Sequence, residues 1–309
     1  MYIVIINPNA GSGKGKQLFE QLKEDELFKK KNCRTFLTEY EGHAERVAEQ
    51  VAAIHHDVIK CVIVIGGDGT LYEVLNGLRK HSNITIGFIP VGTGNDFARG
   101  IGQSDKGVDL FRKLITSSEK KMIYTGKFSN RQSSQQRTRL FMNCIGFGLD
   151  GYVASYANRP SFRRWIKRFR VRPFTYPIAL VVSLMNYKPI EMDMEIDGVK
   201  RSIKKSMMVT ISNSPYYGGG MNIAPGADIS KPYFHVLIVG PISKWKLLLL
   251  FVTVFFGKHT IFKEVTQIKA KSVKISSPHP LVYQVDGQVG SCSECTIQTG
   301  EHQRAILIG

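Results

Sequence analysis

Three glycine-rich turns, each directly after a short apolar stretch, constrain what the first part of this chain can fold into. The stretches at residues 2–6, 61–65 and 84–89 run into the sequences NPNAGSGKG, GGDGT and PVGTGND. Segments with helical spacing of apolar residues lie between them. Buried strands that alternate with helices predict an α/β domain with a parallel sheet covered by helices. Ligands of such sheets bind beyond the carboxyl ends of the strands, where these turns lie.

The three turns favour a polyphosphate ligand. Glycine lets backbone N–H groups approach a phosphate, and a helix N-terminus adds its positive dipole. One such turn also suits tight packing alone, but three at successive strand ends are expected to converge on one crevice. The first turn is not a Walker A loop, because Lys14 is followed by Gly15 instead of Ser or Thr, and it lacks the dinucleotide pattern GxGxxG.

Two aspartates, Asp68 and Asp96, lie inside these turns. A carboxylate in a phosphate cradle repels the ligand unless a cation lies between them, and Mg²⁺ binds one or two carboxylates beside substrate phosphates. Both residues are therefore candidate Mg²⁺ ligands. The alternative is that each aspartate caps the following helix.

The second part of the chain has a different pattern of predicted strands and helices. We predict a nucleotide-binding domain over 1–126, and over 127–300 a mainly antiparallel β domain with helical insertions near 148–157, 161–170, 174–186 and 243–256. Residues 301–309 contain a strand that returns to the first domain or pairs with the second. The polar segment 129–139 is predicted as an exposed hairpin loop. The apolar segment 245–256 is predicted as a helix buried all round, with a wall of a lipid pocket as the alternative.

Charge is distributed unevenly along a chain of ordinary globular composition, with 43% apolar and 22% charged residues. Residues 1–126 hold 17 Lys/Arg and 15 Asp/Glu, whereas residues 127–309 hold 25 and 10. The basic second part attracts polyanions: nucleic acid, anionic lipid surfaces or phosphorylated substrates. The five cysteines suggest reduced thiols, and the N-terminus lacks the pattern of a secretory signal, so a cytoplasmic location is expected.

Distinctive motifs follow one another along nearly the whole chain. They are NPNAG at 7–11, Thr38 with GHA at 42–44, GGDGT at 66–70, PVGTGNDF at 90–97, GFGLD at 146–150, NSPYYGGGM at 213–221, Ala224-Pro225 and Asp286-Gly287. Together these motifs resemble the diacylglycerol kinase catalytic-domain family, in particular its bacterial soluble lipid kinases. GGDGT alone also occurs in NAD kinases and phosphofructokinases, while GTGND together with GGGM…AP is much more specific.

The resemblance implies a two-domain fold with ATP and Mg²⁺ in a cleft, and transfer of a phosphoryl group to a lipid hydroxyl, with diacylglycerol as the default substrate. Asp68 would organise metal and phosphates, and Asp286 would accept the hydroxyl proton. The implied ATP site comprises Asn7, Pro8, Asn9, Ala10, Gly11, Thr38, Gly66, Gly67, Asp68, Gly69, Thr70, Leu71, Tyr72, Thr93, Gly94, Asn95 and Asp96.

Two departures from the family pattern keep alternatives open. Gln288 stands where the family usually has the Glu of a DGE motif, and Ser230-Lys231 replaces a pair of acids that holds a structural Mg²⁺ in some members. Asp286-Gly287 is also a strong signal for a type I′ hairpin turn. The alternatives are a kinase for phosphatidylglycerol or a sphingoid base, a soluble-substrate kinase of the NAD kinase type, and a member that binds nucleotide or lipid without turnover.

A basic amphipathic helix is predicted within residues 159–172, RPSFRRWIKRFRVR. Phe162, Trp165, Ile166 and Phe169 share one apolar face, and no acidic residue occurs between 151 and 190. This pattern is typical of an interfacial helix on an anionic membrane. An ordinary surface helix is the alternative, nucleic acid is not the favoured partner, and a homodimer is left open. The residues predicted to contact the membrane are Arg163, Arg164, Trp165, Lys167, Arg168 and Phe169.

Overall fold

The computed structural model describes residues 1–31, 33–116, 119–132, 135–169 and 175–309. The chain divides into two compact units. The first unit contains Met1–Thr125, Asp228–Lys231 and Gly300–Gly309, and the second contains Gly126–Ala227 and Pro232–Thr299.

The first unit is built on a six-stranded sheet with the order β2-β1-β3-β4-β18-β5. Neighbouring strands are parallel except β5, which is antiparallel to β18. The predicted α/β class with a helix-covered, mostly parallel sheet is confirmed. The strands are β1 (Tyr2–Ile6), β2 (Cys33–Leu37), β3 (Cys61–Gly66), β4 (Ile86–Pro90), β5 (Lys120–Ile123) and β18 (Arg304–Leu307), and the helices are α1 (Lys14–Glu24), α2 (Glu26–Lys30), α3 (His43–His55), α4 (Asp68–Gly77), α5 (Asp96–Gly100) and α6 (Gly107–Thr116).

Asp25 divides the helical region after the first glycine-rich turn into two helices, α1 and α2. Its carboxylate accepts hydrogen bonds from the backbone N–H of Leu27 at 2.9 Å and Phe28 at 3.1 Å, so it caps α2. The same carboxylate pairs with Arg112 at 2.7 Å. A cap residue has non-helical backbone angles, so α1 ends where α2 begins.

The last strand, β18, is held in the first sheet by a buried arginine. The guanidinium of Arg304 donates to the carbonyl oxygens of Leu78 at 2.9 Å, Ile84 at 3.0 Å and His81 at 3.2 Å. Burial lowers the pKa of Arg304 to about 10. Ile306 and Leu307 on the same strand are buried, so the chain end forms part of the first core.

The second unit is a large antiparallel sheet with a layer of helices, which confirms the predicted second part of the fold. The main path of the sheet is β15-β14-β11-β8-β16-β17-β6-β7, with β9 paired to β16 and β10 to β9. The helices share one hydrophobic cluster, which includes Val153, Phe162, Leu184 and Leu250. The strands are β6 (Gly126–Gln132), β7 (Gln135–Phe141), β8 (Cys144–Gly148), β9 (Ile190–Ile196), β10 (Val199–Ser206), β11 (Met208–Ser212), β12 (Tyr216–Tyr217), β13 (Met221–Asn222), β14 (Phe234–Val239), β15 (Val265–Ala270), β16 (Ser272–Val285) and β17 (Gln288–Thr299), and the helices are α7 (Leu149–Ala157), α8 (Pro160–Arg168), α9 (Thr175–Asn186) and α10 (Lys244–Val254).

Two predictions for the second unit are wrong in detail. The segment 129–139, predicted as a loop, contributes to two paired strands, β6 and β7, because its backbone continues the sheet beside β17. Helix α10, predicted to be buried all round, buries only one face. Leu247 and Leu250 are buried, whereas Trp245 and Leu249 are exposed. Within the described part of the chain, no helix is long and apolar enough to cross a membrane.

Candidate functional site

The first glycine-rich turn follows β1 and is joined to the turn after β3. The backbone N–H of Asn7 donates to the Ile65 carbonyl oxygen at 2.9 Å. The side-chain amide of Asn7 donates to Thr70 Oγ1 at 3.1 Å, and its Oδ1 accepts from the N–H of Asn9 at 3.0 Å. Asn7 therefore fixes the shape of its own turn and its distance from the second turn.

Close backbone approaches join the third turn to the other two. Gly11 has a left-handed φ of 60°, and a Cβ there would overlap the carbonyl oxygen of Val91. A Cβ on Gly92 would lie 2.7 Å from the Cα of Gly67. Any larger residue at Gly11 or Gly92 would push the turns apart. The predicted convergence of the three turns at one edge of the sheet is thus what the fold produces.

Asp68 joins the second turn to the third. Its Oδ2 accepts from the N–H of Asp96 at 3.0 Å, and its Oδ1 accepts from the N–H of Phe97 at 3.1 Å. Burial raises the pKa of Asp68, and these backbone hydrogen bonds oppose the shift. The carboxylate therefore caps α5, the next helix in space, although the sequence suggested a cap of the helix that Asp68 itself begins.

The oxygen atoms around the third turn suit Mg²⁺ and nucleotide. Asp96 is buried, with Oδ1 3.3 Å from Arg99. Asn95 Oδ1 is buried without a hydrogen-bond partner among the described residues, while its amide nitrogen donates to Gly92 at 3.0 Å. Carboxylate and amide oxygens are hard donors, and Mg²⁺ beside phosphates needs only one or two protein carboxylates. No group of three His, Cys, Asp or Glu side chains suited to a metal occurs in the described ranges.

The remaining predicted ATP-site residues lie on the three turns, on α4 or just after β2, and their side chains differ in exposure. Leu71 and Tyr72 on α4 are buried at 1% and 6% exposure, so their side chains belong to the core. Thr93 is exposed at the tip of the third turn. Thr38 is buried just after β2, with its N–H donating to Ile6 at 2.8 Å. Pro8 and Ala10 are half-buried in the first turn, with Gly66, Gly69 and Gly94 completing the set on the second and third turns.

Sequence reasoning missed Glu73, which orders the start of α3. Its two carboxylate oxygens accept from the N–H groups of Gly42 at 2.9 Å and Ala44 at 3.1 Å. Partial burial raises the pKa of Glu73, against the effect of these hydrogen bonds. In the sequence, Glu73 looks like an ordinary helix residue five positions after Asp68. Only its hydrogen-bond partners in the structure show that it caps α3.

In the second unit, Asp286 occupies a hairpin turn and binds backbone amides. Val285 pairs with Gln288, and Asp286 and Gly287 have φ values of 45° and 89°, as the type I′ prediction requires. Asp286 Oδ2 accepts from Met142 N–H at 2.7 Å, and Oδ1 accepts from the next two N–H groups of the chain, each at 3.0 Å. The carboxylate is therefore held in a fixed position beside the start of β8.

A buried carboxyl group, that of Asp150, supports this turn and was not predicted as a site residue. Burial raises the pKa of Asp150 to about 6, opposed by hydrogen bonds from Gln284 and Tyr217. Gln284 Nε2 donates to Asp150 Oδ2 at 3.1 Å, while Gln284 Oε1 accepts from Gly287 N–H at 3.0 Å. The motif GFGLD contains Asp150, but its partners lie more than 60 residues further along the chain.

Helix α8 presents only part of the predicted apolar face. Phe162 and Ile166 are buried at 8% and 3% exposure, while Trp165 and Phe169 are exposed at 45% and 57%. The face of four residues is therefore split between core and surface, because two of its members complete the helical cluster. Arg164 and Arg168 are exposed. The side chains of Arg163 and Lys167, and residues 170–174, lie outside what the structure describes.

The segment that departs from the family's acidic pair belongs to the first unit. Asp228 Oδ1 accepts from the backbone N–H of Ser230 at 2.9 Å and from its hydroxyl at 2.7 Å. Partial burial opposes ionisation of Asp228, but these bonds and the charges of Lys121 and Lys231 hold its pKa below the usual range. The turn at residues 228–231 is therefore closed by hydrogen bonds to one of its own side chains, that of Asp228.

Comparisons with known proteins agree with this geometry. Residues 1–126 match the model of the diacylglycerol kinase catalytic domain, and residues 143–299 match that of a YegS C-terminal NAD kinase beta sandwich-like domain. The chain is 33% identical over 290 residues to the Bacillus subtilis protein named "Putative lipid kinase YtlR", with 93% of each chain covered. It is 31% identical over 293 residues to a diacylglycerol kinase of Staphylococcus aureus, covering 93% of this chain and 85% of the relative.

A solved structure supports the fold. The crystal structure of a diacylglycerol kinase from Bacillus anthracis superposes with a TM-score of 0.69 at 20% identity, covering 100% of this chain and 96% of that one. The two domain models together span most of the sequence, and the relatives match over nearly its whole length. Both findings agree with the family resemblance of the three turns. The chain belongs to the diacylglycerol kinase catalytic-domain family.

Proposed function

We propose that this protein is an ATP-dependent lipid kinase that transfers the γ-phosphoryl group of ATP to a lipid hydroxyl, with diacylglycerol as the default substrate. The observation that carries the proposal is the joining of the three turns through Asn7 and Thr70, Gly11 and Val91, and Asp68 with the start of α5. Relatives named diacylglycerol kinase support the lipid as acceptor.

The turns of the first unit would bind the triphosphate. Backbone N–H groups at helix N-termini and glycine turns provide donors without a Cβ in the way. Asp68 and Asp96 would hold Mg²⁺, which when bound neutralises charge on the phosphates. Asn95 Oδ1, a buried acceptor without a partner in the described part of the chain, would receive a donor from the nucleotide or a bound water.

Asp286 would accept the proton of the lipid hydroxyl. Phosphoryl transfer depends mainly on positioning and charge neutralisation, so the acceptor needs a fixed place more than strong basicity. Three backbone N–H bonds hold the Asp286 carboxylate, and Asp150 and Gln284 stabilise the turn that carries it. This role of Asp286 does not require an acidic residue at position 288, where the chain has Gln288.

The substrate also suggests where the protein acts. We expect a cytoplasmic protein that associates peripherally with the inner face of the membrane, with Trp165, Phe169, Arg164 and Arg168 of α8 facing an anionic surface. Arg163 and Lys167 remain part of that prediction. Nucleic acid is not an expected partner, and a homodimer remains a prediction.

The direct test measures ATP consumption against a panel in mixed micelles containing Mg²⁺. The panel contains diacylglycerol, phosphatidylglycerol and a sphingoid base, with NAD as a soluble control. We expect stimulation by diacylglycerol and none by NAD. Stimulation by NAD without any response to lipids would overturn the proposal, and a response to a different lipid alcohol would correct only the substrate.

Two substitutions test the assigned residues. Asp68→Ala and Asp286→Ala are each expected to lower kcat by at least about 10²-fold, the low end for loss of a positioned acid–base group. Asp193→Ala, which removes an exposed carboxylate of the second unit, is the matched control and should leave kcat unchanged. Normal turnover by a folded Asp286→Ala protein would remove its assignment.

A further inference from the structure

Helix α10 has an exposed apolar face on the side opposite to its buried face. Trp245, Leu249 and Val252 are 84%, 58% and 56% exposed, and Phe256, just beyond the helix, is 73% exposed. Their spacing of i, i+4, i+7 and i+11 places them on one side of the helix. We call these four residues the α10 face.

The α10 face cannot turn inward, because the other side of the helix is fixed in the core. Leu247, Leu250 and Val254 are each 3% exposed and belong to the helical cluster. Lys246 pairs with Glu264 at 2.7 Å, on the flank of the helix. A helix that is apolar on both sides would ordinarily be buried all round, so the exposed side indicates a missing partner.

A neighbouring helix brings another residue with an exposed apolar side chain to the start of α10. Lys244 Nζ donates to the carbonyl oxygen of Met185 at 2.6 Å, which joins the start of α10 to the end of α9. The Met185 side chain is 69% exposed. Isolated exposed apolar residues are common on soluble proteins, but a group on one side of one helix with an adjoining methionine is the pattern of an interaction surface.

The charge around this surface favours an anionic bilayer over a second copy of the chain as its partner. Residues 240–264 contain four lysines and one acidic residue, Glu264, which pairs with Lys246, and residues 127–309 carry the excess of basic residues. A second copy of this chain would bring the same positive charge, which opposes association. An anionic phospholipid bilayer offers both opposite charge and hydrocarbon, and tryptophan and phenylalanine favour the level of the headgroups.

We propose that the α10 face inserts into the boundary between headgroups and acyl chains of an anionic bilayer, so that α10 anchors the second unit. This contact is distinct from the one predicted for α8, whose apolar residues are half committed to the core. The inference deepens the proposed function, since a lipid kinase needs access to a substrate that resides in a bilayer.

The two tryptophans of the chain allow each helix to be observed alone. Trp165→Phe leaves Trp245 as the single reporter, on the α10 face, and Trp245→Phe leaves Trp165 on α8. The probe is vesicles of phosphatidylglycerol and phosphatidylcholine, with and without brominated acyl chains. We expect the Trp245 emission of the Trp165→Phe protein to shift to the blue on vesicle binding and to be quenched by the brominated lipid.

A paired substitution measures the strength of the anchor. Leu249→Ser with Phe256→Ser should lower vesicle partitioning at least about tenfold, because both side chains lose their transfer to hydrocarbon. Both are exposed, so the fold is expected to persist. Ile54→Ser in the first unit, where the isoleucine is 72% exposed, is the matched control and should leave partitioning unchanged.

Three results would overturn the inference. The first is co-sedimentation with vesicles while Trp245 emission stays unchanged and unquenched. The second is an equal effect of the paired substitution and the Ile54→Ser control. The third is a concentration-dependent blue shift without vesicles, which would assign the α10 face to a second copy.

The kinase proposal is tested separately in mixed micelles, where no bilayer has to be bound. Turnover there without Trp245 insertion would overturn only the anchor. Insertion without phosphorylation of any lipid would overturn only the kinase.

Discussion

The buried carboxyl group of Asp150 makes the stability of the second unit depend on pH. Burial raises its pKa to about 6, and the hydrogen bonds from Gln284 and Tyr217 offset only part of that shift. In an unfolded chain the pKa of an aspartate is about 4. Between about pH 4 and about pH 6, the Asp150 carboxyl group keeps its proton in the folded unit but has released it in the unfolded chain. Stability of the second unit therefore falls as the pH rises through this window.

The size of the effect follows from the two pKa values. A difference of about 2 corresponds to about 3 kcal/mol in the free energy of unfolding, lost between about pH 4 and pH 6 and not further above about pH 7. Asp150→Asn removes the titration but keeps an oxygen that can accept from Gln284. We expect the unfolding free energy of this variant to lose that part of its pH dependence.

Tryptophan fluorescence provides the assay. Trp165 and Trp245 are the two tryptophans of the chain and both lie in the second unit, so urea unfolding followed by their emission reports this unit. The wild type and Asp150→Asn are compared at several pH values from about 4 to 7. Asp193→Asn, an exposed carboxylate of the same unit, should keep the wild-type dependence. Equal pH dependence in wild type and Asp150→Asn would refute the reasoning.

Three further predictions concern the first unit. Gly11→Ala should weaken ATP binding at least about tenfold in calorimetric titration, because its Cβ would overlap the Val91 carbonyl and separate the turns, whereas Gly13→Ala shares the left-handed φ but meets nothing within 4 Å and should bind normally. Arg304→Ala removes the guanidinium donor from three carbonyl oxygens, of which those of Leu78 and His81 keep a backbone donor, and should lower the free energy of unfolding by roughly 3 kcal/mol in thermal denaturation. Glu73→Ala removes the cap of α3 and should cost about 1 kcal/mol in the same assay; an unchanged melting temperature would contradict it.

The sequence predicted the α/β class and the convergence of the turns because both follow from local patterns. Strand ends, glycines and helix starts are marked by neighbouring residues, and a parallel sheet brings such ends to one edge. The hydrogen-bond partners of Asp68 and Glu73 could not be predicted in this way. Each carboxylate caps a helix other than its own, and that choice depends on the packing of elements about 30 residues apart.

Helix α10 shows a different limit of sequence patterns. Residues 247–252 are all apolar, so no polar residue marks which side of the helix meets solvent. The buried side is the one whose residues join a hydrophobic cluster with distant residues such as Phe162 and Leu184. Periodicity predicts the face of a helix only where polar and apolar residues alternate with the helical repeat. A uniformly apolar helix is therefore assigned to the core by default, and its exposed side becomes visible only in the fold.

The sequence offers the hairpin turn and the proposed acceptor role of Asp286 as alternatives, but the two are compatible in this fold. The type I′ turn requires positive φ at both central positions, and an aspartate tolerates this better than most residues. The same turn places its carboxylate on the amides of residues 142–144, so three backbone N–H groups hold it in position. Gln288 pairs across the hairpin with Val285. The three amide bonds to the proposed acceptor, Asp286, do not depend on a glutamate at position 288, so we expect Gln288→Glu to change kcat far less than Asp286→Ala.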